Sequence, residues 1–201
     1  MAPAGEVGAP VTLVLASTSP RRRRLLATLV TRFELETPAV DESSFDDMAP
    51  PDRLVMRLAE AKARDVATRR PDDVVIGADT VVVLDGQILG KPRDREEARR
   101  MLTRLSGRTH QVWTGVAVVH RAAGRAAVEA ERTDVTFRPL SPDEVERYVQ
   151  LGEGMDKAGA YAVQGVGAVF VERVEGCYYN VVGLPLARLH RMLEGCGLSS
   201  W

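Results

Sequence analysis

Apolar and polar positions follow two different periods along this chain, and these periods predict strands and helices in alternation. An apolar, β-branched run at 11–16 predicts a buried strand, and the segment 110–120 is also predicted to form a strand. Apolar positions at helical spacing predict helices over 50–70 and 94–107. Because helices alternate with strands and hairpins interrupt them, the pattern predicts an α/β domain with a mixed sheet and flanking helices.

Turn and capping residues refine these boundaries. Asp85-Gly86 predicts a two-residue hairpin turn between two strands in 72–89. A Ser-Pro start followed by acidic residues predicts a helix over 141–152. The segment 161–176 is predicted to form strands broken by glycines, and a short apolar stretch and a helix are predicted to follow it before the C-terminus.

Length and charge narrow the function classes. The chain has 201 residues with 45% hydrophobic content, which is enough for one compact domain with its own core. The formal net charge is −1 and only 5% of residues are aromatic, so a general nucleic-acid binder is not expected. Residues 1–10 lack the features of a signal peptide and are interpreted as a flexible tail, which leaves 11–201 as a single domain.

Membrane and redox features point to one compartment. No apolar run approaches the roughly 20 residues of a membrane span, so no membrane partner is expected. Cys177 and Cys196 form no metal-binding or paired-cysteine pattern. A reducing compartment therefore fits, and a cytoplasmic location is the expectation.

The start of the second predicted element carries an electrostatic anomaly. Ser19 and Pro20 are typical of a helix N-terminus, yet Arg21 to Arg24 occupy the first turn, where acidic residues are favoured. On a helical wheel Arg22 lies over the apolar stripe, whereas Arg24 points away from it. The alternatives are a basic surface turn with salt bridges and an anion site in which bound phosphate stabilises the cations.

Other charged residues stand where apolar ones are expected. Lys62 lies on the apolar face of its predicted helix, and Asp79 follows an apolar run at what is expected to be a strand end. Lys62 could instead snorkel to solvent, and Asp79 could cap a turn. Together with Lys91 and Glu42, these residues supply the cations that neutralise a polyphosphate and the carboxylates that hold a divalent ion or activate water.

Eight segments, in order along about residues 11–195, resemble the Maf family of nucleoside triphosphate pyrophosphatases. These segments are LASTSPRRRRLL, VDES, RLAEAKA, VIGADTVV, GKPRDREEARRML, LSGRTHQVWTGV, MDKAGAYAVQG and NVVGLPL. The resemblance implies an elongated, two-lobed fold similar to inosine triphosphatases, with a central cleft. It also implies cleavage of the α–β anhydride of a nucleoside triphosphate with Mg²⁺ or Mn²⁺, and a homodimer, since members are often dimeric.

The resemblance also assigns residues to roles. Asp79 matches the family's proton acceptor, and Glu42 with Asp79 would hold the metal. The remaining matches to its polar cleft are Ser17, Arg21, Arg22, Lys62 and Lys91.

Three positions separate the subgroups of the family. Arg21, Thr80 and Gln164 resemble the group that acts on dTTP and UTP, whereas the group acting on 7-methyl-GTP tends to have other residues there. A Gln amide offers a donor and an acceptor to a pyrimidine edge.

Two alternative functions stay open: the same chemistry on another base, and a non-catalytic nucleotide-binding regulator of septum formation. The family is linked to septum inhibition and to removal of noncanonical nucleotides, so a role in cell-division arrest is a further expectation.

Overall fold

The fold is an α/β arrangement around one mixed sheet, as a computed structural model shows for residues 11–45, 49–196 and 198. The predicted tail, residues 1–10, lies outside the described residues. Short 3₁₀ turns connect several of the elements. The strands are β1 (Leu13–Ala16), β2 (Glu34–Glu36), β3 (Val74–Leu84), β4 (Gln87–Leu89), β5 (Thr109–His120), β6 (Arg125–Phe137) and β7 (Val171–Glu175). The α-helices are α1 (Pro20–Leu29), α2 (Pro51–Arg69), α3 (Arg95–Leu105), α4 (Pro142–Leu151), α5 (Tyr178–Val182) and α6 (Leu186–Gly195).

The sheet has the order β2-β1-β3-β5-β6-β7, with β4 paired to β3. Strand β1 runs parallel to β2 and β3, and the other pairs are antiparallel, so the predicted mixed sheet is confirmed. The register pairs Ala16, the last residue of β1, with Gly77, while β3 continues to Leu84. The chain then leaves the sheet for α1, and the edge of β3 at residues 78–81, between the part paired with β1 and the part paired with β4, stays open for a cleft.

Two separate cores lie along the same long strands. One core contains Val74 and Ile76 of β3 with side chains of α1 and α6. Another contains Val82 and Leu84 of the same strand with side chains of α3 and α4 and the buried ring of Phe137. Because β3 and β5 pass through both cores, they join these cores and carry residues that line the cleft.

Helix α2 lies unusually close to the sheet. A Cβ atom added at Gly77 would overlap the backbone carbonyl of Ala59, and one added at Gly115 would overlap that of Val55. Neither strand position therefore tolerates a side chain, and the helix backbone rests directly on β3 and β5. The contact fixes the height of α2 above the sheet.

The prediction of strands throughout 161–176 is wrong in its first half. Only Val171–Glu175 is a strand, and Val166–Phe170 forms a 3₁₀ helix. Gly165 has φ = +103°, which an extended strand does not allow. The short helix α5 was not predicted, because five residues are too few to display a helical period.

Candidate active site

One cleft of about 780 Å³ lies between the turn that joins β1 to α1 and the segment 156–164. It is wide enough for a molecule the size of a nucleotide. The structure brings every candidate site residue named from the sequence to the lining of this cleft: Ser17, Arg21, Arg22, Glu42, Lys62, Asp79, Thr80, Lys91 and Gln164.

The N-terminus of α1 opens directly into the cleft. The Ser19 hydroxyl accepts a hydrogen bond from the Arg22 amide at 3.4 Å, and the Ser17 hydroxyl accepts one from the Ser19 amide at 3.1 Å. Arg21 and Arg22 are half-buried, whereas Arg23 and Arg24 are exposed, as the helical wheel predicted for Arg24. The first turn holds no acidic residue, so its positive end faces the cleft uncompensated.

Arg22 is fixed on the cleft floor by two hydrogen bonds. Its Nε donates to the carbonyl of Gly183 at 2.9 Å, and a terminal nitrogen donates to the Thr80 hydroxyl at 3.0 Å. Burial lowers the pKa of Arg22 from its ordinary value, Asp79 opposes this effect, and Arg21 adds to it. Two cations held this close together favour an anionic ligand.

A directed chain of hydroxyl groups continues below Arg22. Thr114 donates to the carbonyl of Asn180 at 3.1 Å, and its oxygen lies 2.9 Å from that of Thr80. Because the one proton of Thr114 is used by Asn180, Thr80 must donate to Thr114 and accept from Arg22. Thr80 thus has no proton left for a ligand.

Lys62 lies between two carboxylates. Its Nζ is 2.6 Å from Oδ1 of Asp79 and 2.7 Å from Oε1 of Glu42. The residue is 7% exposed, so it does not snorkel to solvent but points into the cleft. Desolvation is the largest effect on Glu42 and raises its pKa, but Lys62, Lys91 and Arg22 together lower that pKa below its usual value.

Asp79 is not at a strand end, and the prediction is wrong on this point. It lies within β3, paired with Gly115 of β5, and it does not cap a turn. The strand that ends is its neighbour β1, which stops opposite Gly77. The carboxylate therefore reaches the cleft from a rigid strand interior, where 9% of the residue is exposed.

The mouth of the cleft carries a second group of charges. Arg21 lies 3.7 Å from Asp156 across the opening, and Lys157 donates a hydrogen bond to the same carboxylate. Desolvation raises the pKa of Asp156, but the nearby cations Lys157 and Arg21 lower it by more, so the pKa lies below its ordinary value. Lys91 and Gln164 are exposed at the cleft lining.

Comparison with known proteins identifies the family. A family model described as Maf-like protein matches residues 12–196. The chain belongs to the Maf family.

Several curated relatives of this Maf-like chain are named dTTP/UTP pyrophosphatase. The one from Moorella thermoacetica is 52% identical over 189 residues, covering 94% of this chain and 97% of its own. Those from Pelotomaculum thermopropionicum and Deinococcus radiodurans are 54% and 50% identical, covering 92% and 94% of this chain and 96% and 95% of their own. Among solved structures, a HAM1 protein from Coxiella burnetii aligns with a TM-score of 0.43 at 13% identity, over 63% of this chain and 73% of that one.

Sequence reasoning gave no role to four polar residues in or beneath the Maf-like cleft. Asp156 and Lys157 line its mouth, whereas Thr114 and Asn180 lie behind the lining and support Thr80, which in turn bonds to Arg22. All four residues stand in motifs quoted for the resemblance. A threonine inside a strand or a charge in a loop carries no periodic signal, so those motifs were the only indication available.

The acidic residues of the cleft fit a divalent ion only in part. Glu42 and Asp79 both approach one ammonium group, so their oxygens are close enough to share a cation. Within the described ranges, no group of three or more acidic, histidine or cysteine side chains could hold a metal by itself. Two carboxylates completed by phosphate oxygens and water are the usual surroundings of Mg²⁺.

No helix in the described part of this Maf-like chain is both long and apolar enough to cross a bilayer.

Proposed function

We propose that this Maf-like protein is a nucleoside triphosphate pyrophosphatase that hydrolyses dTTP and UTP to the monophosphate and pyrophosphate. The observation that carries this proposal is the cleft floor, where Arg22, Lys62 and Asp79 meet within one network. A buried carboxylate beside fixed cations suits attack on a polyphosphate. The names of relatives about 50% identical support the pyrimidine substrates.

The cations of the cleft hold the triphosphate in this proposal. Arg22 and Lys62 line the floor, Arg21 and Lys91 line the cleft nearer solvent, and the amide groups of α1 add partial positive charge. Their fixed positions place the α-phosphorus opposite Asp79 without a large loss of entropy on binding. They also stabilise the charge that develops on the leaving pyrophosphate.

Glu42 and Asp79 would hold Mg²⁺ or Mn²⁺ together with phosphate oxygens of the substrate. When bound, the ion supplies charge neutralisation at those oxygens. Lys62 holds both carboxylates in place, because its ammonium lies between them and pairs with each.

Asp79 serves as the proton acceptor in the reaction. Lys62 engages Oδ1 and orients the carboxylate towards a water molecule in the cleft. The water oxygen bonds to the α-phosphorus, its proton passes to Asp79, and the bond from that phosphorus to the bridging oxygen breaks. The electron pair leaves with pyrophosphate, and the nucleoside monophosphate remains.

The base end of the site is the segment that carries Gln164. Its amide offers one donor and one acceptor to the pyrimidine edge. Thr80 acts differently, because its proton is already used by Thr114, and it contributes by holding Arg22. Arg21 contacts phosphate in this proposal.

The deciding experiment measures pyrophosphate release from dTTP, UTP, CTP, ITP and 7-methyl-GTP, each with Mg²⁺, with Mn²⁺ or with EDTA. Metal-dependent release from dTTP and UTP is the expected result. Release mainly from a purine nucleotide would keep the chemistry but overturn the pyrimidine assignment. Binding of nucleotides without release from any of them would favour a non-catalytic regulator. The homodimer, the cytoplasmic location and the role in cell division stay predictions.

A further inference from the structure

The segment that carries Gln164 has no strand partner, yet both of its ends are held by side chains. The Ala162 amide donates to the Tyr148 hydroxyl at 3.1 Å. The amides of Val166 and Gly167 donate to the Glu153 carboxylate at 3.0 and 3.2 Å. Two side chains thus bind the backbone on either side of Gln164.

Tyr148 and Glu153 also bond to each other, and we name this pair the latch. The Tyr148 hydroxyl donates to Oε1 of Glu153 at 3.0 Å while it accepts from Ala162. Burial raises the pKa of Tyr148, so its hydroxyl keeps the proton that the carboxylate needs. Each hydrogen bond in this arrangement has a defined donor and acceptor, and the Tyr148–Glu153 pair links the two ends of the segment.

The segment is shaped to approach the latch closely. Gly165 has φ = +103°, and a Cβ atom there would lie 2.7 Å from Oε2 of Glu153. A Cβ atom at Gly167 would lie 2.8 Å from the Tyr148 hydroxyl. Any side chain at either glycine would push the backbone off the latch, so these glycines serve the contact rather than a break in a strand.

The latch stands outside the cleft, with Tyr148 in the core on α4 and Glu153 in the turn that follows this helix. Tyr148 is 2% exposed on α4, and its ring packs edge-on against Phe170 at a centroid distance of 4.9 Å. Lys157 donates a hydrogen bond to the backbone carbonyl of Glu153 and so joins the latch to the cleft mouth. Neither Tyr148 nor Glu153 lines the cleft, so neither can touch a ligand there.

We infer that Tyr148 and Glu153 are positioning residues for recognition of the nucleobase, acting through Gln164. Gln164 is exposed on the cleft lining, and its side chain can discriminate between bases only if its backbone has one position. The latch supplies that position. This inference rests on the proposed function and names the parts that would set its base specificity.

Tyr148→Phe is the sharpest test, because it removes one oxygen and keeps the ring in the core. We expect amide hydrogen exchange across 162–167 to become faster without nucleotide. We also expect the ratio of kcat/KM for UTP to that for CTP or ITP to fall about five- to tenfold, mainly through a higher KM for UTP. Tyr179→Phe, at an exposed tyrosine, is the matched control and leaves both readouts unchanged.

Glu153→Gln keeps the side-chain length and gives a second, independent variant. It replaces one acceptor oxygen by a donor, so at least one of the bonds to the segment is lost, and the same change in base ratio is expected. Glu146→Gln is its control on α4, since Glu146 pairs with Arg99 and Gln150 at the surface.

The outcomes separate this inference from the proposed function. Suppose that the wild type is active and that the ratio of kcat/KM for UTP to that for CTP or ITP is unchanged in both latch variants. That result overturns the inference alone, even if hydrogen exchange becomes faster. Equal loss of kcat/KM for every nucleotide also overturns it, because that result indicates a merely structural role. A wild type that releases pyrophosphate from no nucleotide overturns the proposed function and this inference together.

Discussion

The cleft contains two ionic groups of three residues that mirror each other in charge. In the floor group, the cation Lys62 lies between the carboxylates Asp79 and Glu42. In the mouth group, the carboxylate Asp156 lies between the cations Arg21 and Lys157. The central residues differ in burial: the Lys62 side chain is 9% exposed and pairs with Asp79 at 12%, whereas the Asp156 side chain is 70% exposed. The outer residues do not follow this contrast, because Glu42 is half-exposed and Lys157 is mostly buried.

Burial decides how much each group contributes to the free energy of unfolding. An exposed ion pair is screened by water and contributes between zero and about 1 kcal/mol. Removing one partner of a buried pair leaves an uncompensated charge and costs about 3–5 kcal/mol. The floor group therefore holds its geometry before a ligand arrives, whereas the mouth group can exchange partners when phosphate enters.

The largest expected effect comes from Asp79→Asn. The amide keeps the shape of the carboxylate but cannot accept the proton, so pyrophosphate release from UTP should fall by about 10³-fold or more. Circular dichroism and thermal unfolding should show a folded protein. Asp156→Asn at the mouth is the matched control and should change turnover by less than about threefold. Similar losses in both variants would contradict the contrast between floor and mouth.

Lys62→Met tests the same contrast through stability. The variant keeps the apolar stem but leaves Asp79 and Glu42 without their shared cation. The free energy of unfolding in urea at pH 7 should fall by about 3 kcal/mol. The stabilisation from the lowered pKa of Glu42 is present above its ordinary value and is lost as the pH falls, so the deficit should shrink in acid.

Lys157→Met, at the mouth, is the control for that experiment. Loss of its pair with Asp156 should cost less than about 1 kcal/mol, because that carboxylate is mostly in water, and loss of its hydrogen bond to the Glu153 carbonyl adds about 1 kcal/mol. A larger cost at the mouth than on the floor would reverse the assignment of the two groups.

His110 extends the contrast to a buried group that has no close charged partner. Its Nε2 is 2.8 Å from the Tyr161 hydroxyl, and its Nδ1 has no hydrogen-bond partner among the described residues. Burial lowers the pKa of His110 to about 4, although the charge of Asp134 opposes the shift. The unfolded chain therefore takes up a proton below about pH 6.5 while the folded chain does not.

Stability should accordingly decline as the pH falls from about 6.5 to 4, with about 3 kcal/mol of the loss coming from His110. Urea unfolding at several pH values measures this decline. In His110→Gln that part of the pH dependence should vanish, whereas His120→Gln, at the end of β5, should retain it. An unchanged pH slope in His110→Gln would contradict the expectation.

The smallest effect is expected from the hydroxyl chain beneath Arg22. Thr114→Val removes the acceptor of the Thr80 proton, so Thr80 loses its fixed direction and Arg22 loses alignment. We expect kcat/KM for UTP to fall about five- to tenfold with the fold intact. Thr136→Val removes a similar hydroxyl pair with Thr109 on the neighbouring strand pair, β5 and β6, and activity should not change.

The sequence predicts the charged floor better than the neutral parts of the site. Lys62 and Arg22 could be recognised because each is a cation on an apolar helix face, which is a local signal. The partners of Lys62 are 17 and 20 residues away in sequence, and Thr114 bonds to a carbonyl 66 residues away. Such contacts depend on the final packing of the sheet.

The segment around Gln164 also depends on contacts that leave no local signal in the sequence. Its glycines were interpreted as breaks in a strand, because glycine within an apolar run has that meaning in most chains. Their actual role depends on Glu153, which approaches from a different element. Asp79 was placed at a strand end for a related reason: the local pattern does not show that β1 stops earlier than β3.

The contact between helix α2 and the sheet has a consequence for genetics. Lys62 stands on α2, and the hydrogen atom of Gly77 sets how near that helix comes to Asp79 on β3. A single methyl group at Gly77 would lift the lysine away from its carboxylates. In a screen for lost activity, alanine at this position would be scored with the active-site mutants, although the glycine presents no chemical group to any substrate.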